Sequence, residues 1–187
     1  MLKLKVPQKE FFDPKTETFM HFDGAELTLE HSLVALSKWE SKWKVYFLGN
    51  KDITPEQFID YVRCMTITQN PNPLAYLTIA NDRGCLQKIS EYMEDPMTAT
   101  TINERSLGKS NGGYSARKII TSELIYYWMT ALKIPFECQK WHINRLLTLI
   151  KVASIERQPP KKMNKREAMA QQRSLNAARR AKHHSKG

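Results

Sequence analysis

The sequence predicts an α+β fold that is mainly helical, with a small N-terminal sheet, a second β-hairpin and a basic C-terminal arm. Apolar and polar residues alternate at the start of the chain, as they do in a half-buried strand. Between residues 29 and 157 apolar residues recur at helical spacing, and helix-capping residues precede several of these stretches. Positive charge is concentrated after residue 157.

The distribution of charge divides the chain into two predicted units. The net charge is +10, from 29 Lys and Arg and 19 Asp and Glu. Residues 157–187 hold ten of the basic residues and one acid, which leaves 19 basic and 18 acidic residues in the rest of the chain, a net charge of +1. A nearly neutral stretch joined to a basic one indicates a folded domain with an arm for an acidic surface. We therefore predict a globular domain at 1–157 and an arm at 158–187.

Three short segments predict the N-terminal sheet. The stretch "MLKLKV" alternates apolar and basic residues, and "TETFMHF" and "AELTL" are further candidate strands. Asp23 and Gly24 separate the last two, and this dipeptide suits a type I′ turn because both central positions need a positive φ. We expect "AELTL" to pair with "TETFMHF" across this turn.

Helical spacing and caps predict the next elements. Apolar residues of the stretch "LEHSLVALSKWESKW" recur at three-, four- and seven-residue steps, which predicts an amphipathic helix. Thr54, Pro55 and Gln57 form the clearest helix start, because a hydroxyl at the cap, a proline at the first position and a glutamine at the third are typical of a capping box. Further helices are predicted from Pro73 and through "CLQKISEYMED".

The region after these helices predicts a hairpin and two more helices. The segments "MTATTI" and "ARKIIT" of residues 97–120 favour strands, and a polar, glycine-rich loop separates them. Thr121 or Ser122 can cap the next helix. A last helix of the domain is predicted from Pro135 to Arg157, since two prolines follow it.

Cys138 and His142 lie four residues apart in this last predicted helix, a spacing that puts both on one face. Two ligands are half of a tetrahedral zinc site, and no CxxC, HxxxH or HExxH supplies the other half. As a nucleophile and base, the pair lacks the activating surroundings that a thiolate needs. We predict that both residues are structural and that the chain has no metal or cofactor site.

Signatures of catalysis are missing from the sequence. There is no GxSxG and no glycine-rich dinucleotide turn. The carboxylates of Glu40, Asp60, Glu91 and Glu94 fall where exposed helix faces are expected. Three cysteines, an odd number, favour reduced thiols over a disulfide framework. We predict a binding or assembly protein without catalytic residues, not an enzyme.

The arm and two tryptophans are the predicted partner-binding residues. Good helix formers fill residues 165–182, but the apolar side of that stretch is thin, so the arm is expected to be extended or only conditionally helical. All four tryptophans are expected to serve the core, and two of them also to be candidates for an interface. The predicted partner-binding residues are Lys161, Lys162, Lys165, Arg166, Arg173, Arg179, Arg180, Lys182, Trp39 and Trp43.

Three segments carry a resemblance to known proteins: "LTLEHSLVALSKWESKW", "TSELIYYWMTALKIPFECQKWHINRLLTLIKV" and the terminal "NAARR". They resemble small proteins encoded among the structural genes of tailed bacteriophages, and the first is similar to the N-terminal part of phage tail assembly chaperones. The resemblance implies a non-enzymatic morphogenesis protein whose partners are the tape-measure protein, the tail tube or neighbouring virion subunits.

Three functions stay open at this point. The first is an assembly factor that holds a helical, aggregation-prone partner in the host cytoplasm. The second is a structural virion component whose basic arm inserts between neighbouring subunits. The third is an accessory protein whose arm binds nucleic acid through phosphate contacts, an affinity that salt would weaken. No membrane partner is expected, because no stretch approaches the roughly 18 apolar residues of a membrane-spanning helix.

Overall fold

The computed structural model describes residues 1–14, 17–101, 119–157 and 165–183. The predicted fold class is confirmed: the structure is α+β and mainly helical, with two small antiparallel sheets near the N-terminus. The strands are β1 (Leu2–Val6), β2 (Lys9–Asp13), β3 (Thr18–Phe22) and β4 (Ala25–Leu29). The helices are α1 (Leu33–Trp43), α2 (Pro55–Met65), α3 (Pro73–Ala80), α4 (Arg83–Glu94), α5 (Ser122–Ala131), α6 (Ile143–Glu156) and α7 (Lys165–His183).

The four strands form a hairpin that is interrupted in its middle. β1 pairs with β4, with Val6 opposite Ala25, and β2 pairs with β3, with Lys9 opposite Phe22. The prediction that β4 pairs with β3 across residues 23–24 is therefore wrong. The sequence reading also missed β2, which is the true partner of β3.

Gly24 lies at the interruption between the two sheets. Its φ is 84°, and a Cβ at this position would lie 2.9 Å from the carbonyl oxygen of Val6 and 3.2 Å from the amide nitrogen of Gln8. Both the backbone conformation and the opposite strand therefore require glycine. Pro7 has no N–H to donate to a strand ladder. Gly24 is thus required at the point where the hairpin is interrupted. Residues 23–24 do not form the tip of a hairpin, which is where the type I′ turn was predicted.

The sheet of β1 and β4 is embedded in the core. Its inward-facing residues are completely or almost completely buried: Leu4, Val6, Leu27 and Leu29. The outer edge of β4 is covered by the segment after α2, where the N–H of Ile67 donates to the carbonyl of Thr28 at 2.8 Å. α3 and α4 pack on β1. The alternation of apolar and polar residues in the sequence therefore corresponds to side chains that point alternately into the core and into solvent.

Trp39 occupies the centre of an aromatic cluster in the helical core. Its indole N–H donates to the carbonyl of Gln57 at 2.8 Å, and its ring meets Phe47 edge-on at 5.0 Å between centroids. Phe47 stacks on Tyr61 at 3.8 Å. The other tryptophans, Trp43, Trp128 and Trp141, are partly buried against the same core. This arrangement agrees with the predicted role of the tryptophans.

Several helices begin where their capping residues predicted them to begin. The Thr54 capping box is complete, and Thr121 caps α5 by accepting from the N–H of Leu124. α1 begins later than predicted, at Leu33 after the cap Ser32, since Leu29 belongs to β4 and a short segment connects the two elements. Local signals therefore placed most of the helices correctly.

The single helix predicted from Pro135 to Arg157 is wrong. A 3₁₀ helix covers Phe136–Lys140, and α6 begins only at Ile143. Between them the backbone bonds to the segment between β4 and α1, where the N–H of Ile143 donates to the carbonyl of His31 at 2.7 Å. A tertiary hydrogen bond thus replaces one that would have continued a helix.

The second predicted hairpin falls mostly outside the described residues, which leave out 102–118. The described parts of it, 97–101 and 119–121, contain no strand. The chain divides into two compact units, Met1–Ala153 and Ser154–Gly187, so that the division lies within α6, four residues before the predicted boundary. In the described ranges, no helix combines the length and the apolar character that crossing a membrane requires.

Candidate functional site

A groove of about 1030 Å³ lies on the surface of the first unit. It is lined by α2, α4, the last turn of α1, the segment 47–54 and the C-terminal half of α3. We call it the α2/α4 groove. Pockets for small molecules have volumes of roughly 300–1,000 Å³, so this groove has room for a ligand larger than most of these.

α2 contributes one wall of the α2/α4 groove. The capping box fixes where the helix begins: the N–H of Gln57 donates to the hydroxyl of Thr54 at 3.3 Å, and the N–H of Thr54 donates to the Gln57 side chain at 3.0 Å. Glu56, Ile59 and Arg63 follow at spacings of three and four residues, which places them along one face of the helix. All three line the groove.

α4 contributes the second wall. Asp82 caps this helix by accepting from the N–H of Cys85 at 2.7 Å, and that hydrogen bond lowers the pKa of the Asp82 carboxyl. Leu86, Ser90 and Met93 then share the face that lines the groove. Ile89 and Tyr92, which lie between these residues in the sequence, are buried and face the core.

Much of the lining of the α2/α4 groove is apolar. The apolar residues come from the segment 47–54 and from α2, α3 and α4: Leu48, Ile53, Phe58, Ile59, Leu77, Leu86 and Met93. Leu77 is 45% exposed, and the others are partly buried. Apolar surface collected in a concave place is a common mark of a binding site, because a ligand that covers it removes it from water.

Asp60 connects α2, the first wall of the groove, to α1. Its carboxylate accepts from the ammonium of Lys42 at 2.6 Å and from the indole N–H of Trp43 at 2.8 Å. Burial opposes ionisation, but these hydrogen bonds and the charges of Lys42 and Arg63 outweigh it, so the pKa of Asp60 lies below its ordinary value. Asp60 is buried, and its predicted place on an exposed face is therefore wrong.

Glu40 corrects the sequence reading in the same way. It is buried, and its two carboxylate oxygens accept from the backbone N–H of Phe47 at 3.1 Å and from that of Ser122 at 2.7 Å. It therefore ties α1 to the next loop and to the start of α5. The sequence contained a signal, since Glu40 stands seven residues after Leu33 in the apolar stripe of α1. Glu91 and Glu94 are exposed, as predicted.

His31 also lines the groove and belongs to a buried polar cluster. Its Nδ1 lies 2.6 Å from the hydroxyl of Tyr61, and its ring centroid lies 5.1 Å from that of His142. Burial, together with the neighbouring His142, lowers the pKa of His31 to about 3. Burial raises the pKa of the Tyr61 hydroxyl. Both groups are therefore neutral at ordinary pH, which lets the core accommodate them.

His142 has a defined tautomer in this cluster. Its Nε2 lies 3.0 Å from the backbone carbonyl of Tyr92, and a carbonyl can only accept, so Nε2 carries the hydrogen. Its Nδ1 then accepts from the N–H of Asn144 at 3.3 Å. Burial lowers the pKa of His142. These contacts fix the orientation of the His142 ring in the core, which is a structural role.

Cys138 and His142 do not share one helix face, contrary to the sequence reading. Cys138 lies in the 3₁₀ helix and is buried, whereas His142 precedes α6. Within the ranges that the structure describes, no three His, Cys, Asp or Glu residues are grouped so that they could hold a metal ion. The described cysteines are free thiols.

The two tryptophans predicted to bind a partner differ in exposure. Trp39 is completely buried, so its side chain presents no surface to a partner in this conformation. Trp43 is partly exposed and lines the α2/α4 groove. A partner-binding role for Trp43 stays a prediction, and the structure places it where such a contact is possible.

In the second unit the structure describes the end of α6, Arg157 and α7. Lys161 and Lys162 lie outside the described residues, and Lys165 is the first residue of the helix. The other predicted arm residues are exposed on α7: Arg166, Arg173, Arg179, Arg180 and Lys182. Arg166, Arg173 and Arg180 are seven residues apart, so their side chains lie along one side of the helix.

Comparison of the chain with protein-family models, with curated proteins and with solved structures finds no match.

Proposed function

We propose that this chain is a non-enzymatic assembly protein of tailed bacteriophages, similar in role to a tail assembly chaperone. Its partner is a helical segment of a tape-measure protein or of another tail structural protein, and the α2/α4 groove holds that segment. The protein acts in the host cytoplasm during assembly. The observation that carries this proposal is a groove with two helical walls and partly exposed apolar lining.

The groove suits an amphipathic helix. A helix in such a groove places apolar residues at positions i, i+3, i+4 and i+7 against the lining and keeps its polar side in water. Ile59 on α2 and Met93 on α4 offer apolar contacts from opposite walls. An assembly factor that covers the apolar stripe of a long helical protein keeps that stripe from aggregating before it is built into the tail.

The charges around the groove suit a helix with residues of both signs. Glu56 and Glu94 are exposed, and neither makes an ion pair within the described ranges. Arg63 is also exposed, and its guanidinium lies 5.2 Å from the ring centroid of Tyr76. Contacts of this kind at the edge of an interface select the partner more than they strengthen binding.

The arm supports a partner with an acidic surface. α7 spans 19 residues and exposes a column of arginines. Such a basic helix fits an acidic helix of a partner, and it also fits the phosphates of a nucleic acid. The arm therefore also supports the second and third functions, a structural virion component and a nucleic-acid-binding accessory protein.

A groove variant tests the proposal. Co-expression with the tape-measure protein of the same phage should yield a soluble complex that co-purifies. The double variant Ile59→Lys/Met93→Lys should lose this complex, because it places two charges against the apolar face of the bound helix. The control is Phe136→Lys, at a phenylalanine that is 54% exposed outside the groove. If the double variant is folded by circular dichroism and still binds like wild type, the groove is not the binding site.

Two further measurements separate the three functions. Mass spectrometry of purified particles should find none of this protein if it is an assembly factor, whereas stoichiometric amounts would favour the virion component. DNA binding that weakens steeply with salt and disappears on removal of residues 158–187 would favour the nucleic-acid role.

A further inference from the structure

The β2–β3 ribbon, residues 9–13 and 18–22, exposes aromatic side chains. Phe12 and Phe19 are directly opposite each other, their ring centroids are 5.2 Å apart, and they are 55% and 72% exposed. Met20, on the other face, is 37% exposed. Among the described residues of the ribbon, Phe22 belongs to the core and Phe11 packs against it. Most apolar residues of the ribbon thus remain in contact with water.

A ribbon of this kind is incomplete as a sheet. A two-stranded hairpin is only marginally stable in water, and three or more strands with an apolar face are needed for independent stability. No further strand pairs with β2 or β3 among the described residues. Long apolar edges that nothing covers are sites where another chain adds a strand.

The two edges of the ribbon differ in charge. β2 has the sequence "KEFFD", and charged residues of this kind protect an edge against pairing. β3 has the sequence "TFMHF", which contains no Lys, Arg, Asp or Glu. In β3 only Phe22 is buried. The edge of β3 is therefore the better one for strand addition.

We propose that β3 pairs with β3 of a second copy of this chain, antiparallel and about a two-fold axis at Met20. The two ribbons then form a four-stranded sheet. Phe19 of each protomer lies opposite His21 of the other, and paired residues share a face of the sheet. The row of side chains formed by Phe12 and Phe19 therefore continues into the second ribbon through its His21. No two like charges lie opposite each other across the new strand pair. The interface is isologous, so that it closes as a dimer.

This dimer goes beyond the proposed function. The ribbon residues do not line the α2/α4 groove, so a dimer carries two grooves and two arms. Two linked sites bind a partner with repeated segments more tightly than one site does, since the second contact becomes intramolecular.

Sedimentation velocity of the purified full chain tests the pairing. Wild type should sediment with twice the chain mass of 21.8 kDa, and Phe19→Lys should sediment with the single mass. The control Phe136→Lys, at a phenylalanine outside the ribbon that is 54% exposed, should keep the doubled mass. A monomeric wild type at every concentration, or a dimer that Phe19→Lys leaves intact, would overturn the proposal.

A cysteine at the axis tests the register. Met20→Cys should form a disulfide-linked dimer under mild oxidation, because the two Met20 positions face each other across the two-fold axis. The wild-type chain, whose Cys64, Cys85 and Cys138 are free, is the control and should stay unlinked. If Phe19→Lys separates the dimer but Met20→Cys does not crosslink it, then β3–β3 pairing is overturned. Binding of a strand from another protein to a monomeric chain would overturn it as well.

Discussion

The two halves of the N-terminal hairpin have the same local structure and opposite environments. Each half is a pair of five-residue antiparallel strands. In the β1–β4 half, Leu4 and Leu29 are completely buried, whereas in the β2–β3 half Phe12 and Phe19 are more than half exposed. The difference shows that pairing between strands does not bury their side chains. The elements that pack on the strands bury them, and here α3 and α4 pack on β1.

The largest expected effect is a difference in the stability that each half contributes. Leu4→Ala should lower the free energy of unfolding by about 2–5 kcal/mol, because it leaves a cavity in the core. Phe12→Ala, in the exposed half, should change it by no more than about 0.5 kcal/mol. Urea unfolding of both variants measures this difference. Similar costs for the two substitutions would mean that the ribbon is packed as firmly as the first half.

The junction between the halves should give the next largest effect. Gly24→Ala should cost about 1–3 kcal/mol, because it places a Cβ in a backbone conformation that side chains rarely adopt, at 2.9 Å from the oxygen of Val6. Gly49 also has a positive φ, of 76°, but no atom lies within 4 Å of a Cβ there. Gly49→Ala is therefore the control, and we expect it to cost less in the same unfolding assay. Equal losses of stability in Gly24→Ala and Gly49→Ala would show that contact with the opposite strand adds nothing to the cost at Gly24.

Acid should destabilise the buried polar cluster that contains His31. The pKa of His31 is lowered to about 3 in the folded chain, so the unfolded chain binds more protons below pH 6.5. Stability should therefore be retained above pH 6.5 and fall as the pH drops from 6.5 towards 3, by about 1.4 kcal/mol per pH unit for one such histidine. His31→Gln should reduce this slope. A slope that is the same in the wild-type chain and in this variant would contradict the assignment to His31.

Removal of the arm should have the smallest effect. The described side chains of α7 are exposed, so deletion of residues 158–187 should remove few buried contacts. We expect the thermal midpoint to change by no more than about 4 °C, which corresponds to about 1 kcal/mol for a chain of this size. A drop of more than about 8 °C would mean that the arm contributes to the folded core in the way that β1 and β4 do.

Sequence reasoning found the elements that depend on local signals. The capping box at Thr54 and the cap at Thr121 need only residues within one helical turn, and the alternation in β1 and β4 needs only neighbours. The basic arm followed from counting charges. None of these features depends on what packs against them, and the structure has each of the caps and strands where the sequence indicated.

The candidate site was harder to predict, because its residues come from separate elements. Asp60 lies opposite the core-facing side of α2, so the helical period placed it in solvent, and it is buried only because Lys42 and Trp43 of α1 cover it. Glu40 lies in the apolar stripe of its own helix, and the period of α1 could have found it. The groove itself has no local signal.

The sequence by itself thus determined the fold class, most helix starts, three of the four described strands and the basic arm, because these follow from contacts within a few residues. Only the tertiary structure decided which strands pair, and where the helix predicted after Pro135 is interrupted. β3 pairs with β2 in a ribbon that Pro7 and Gly24 separate from the β1–β4 sheet, and α6 begins at Ile143 because its N–H bonds to His31, more than a hundred residues earlier in the chain. Such choices depend on segments that are distant in sequence and meet only in the folded chain.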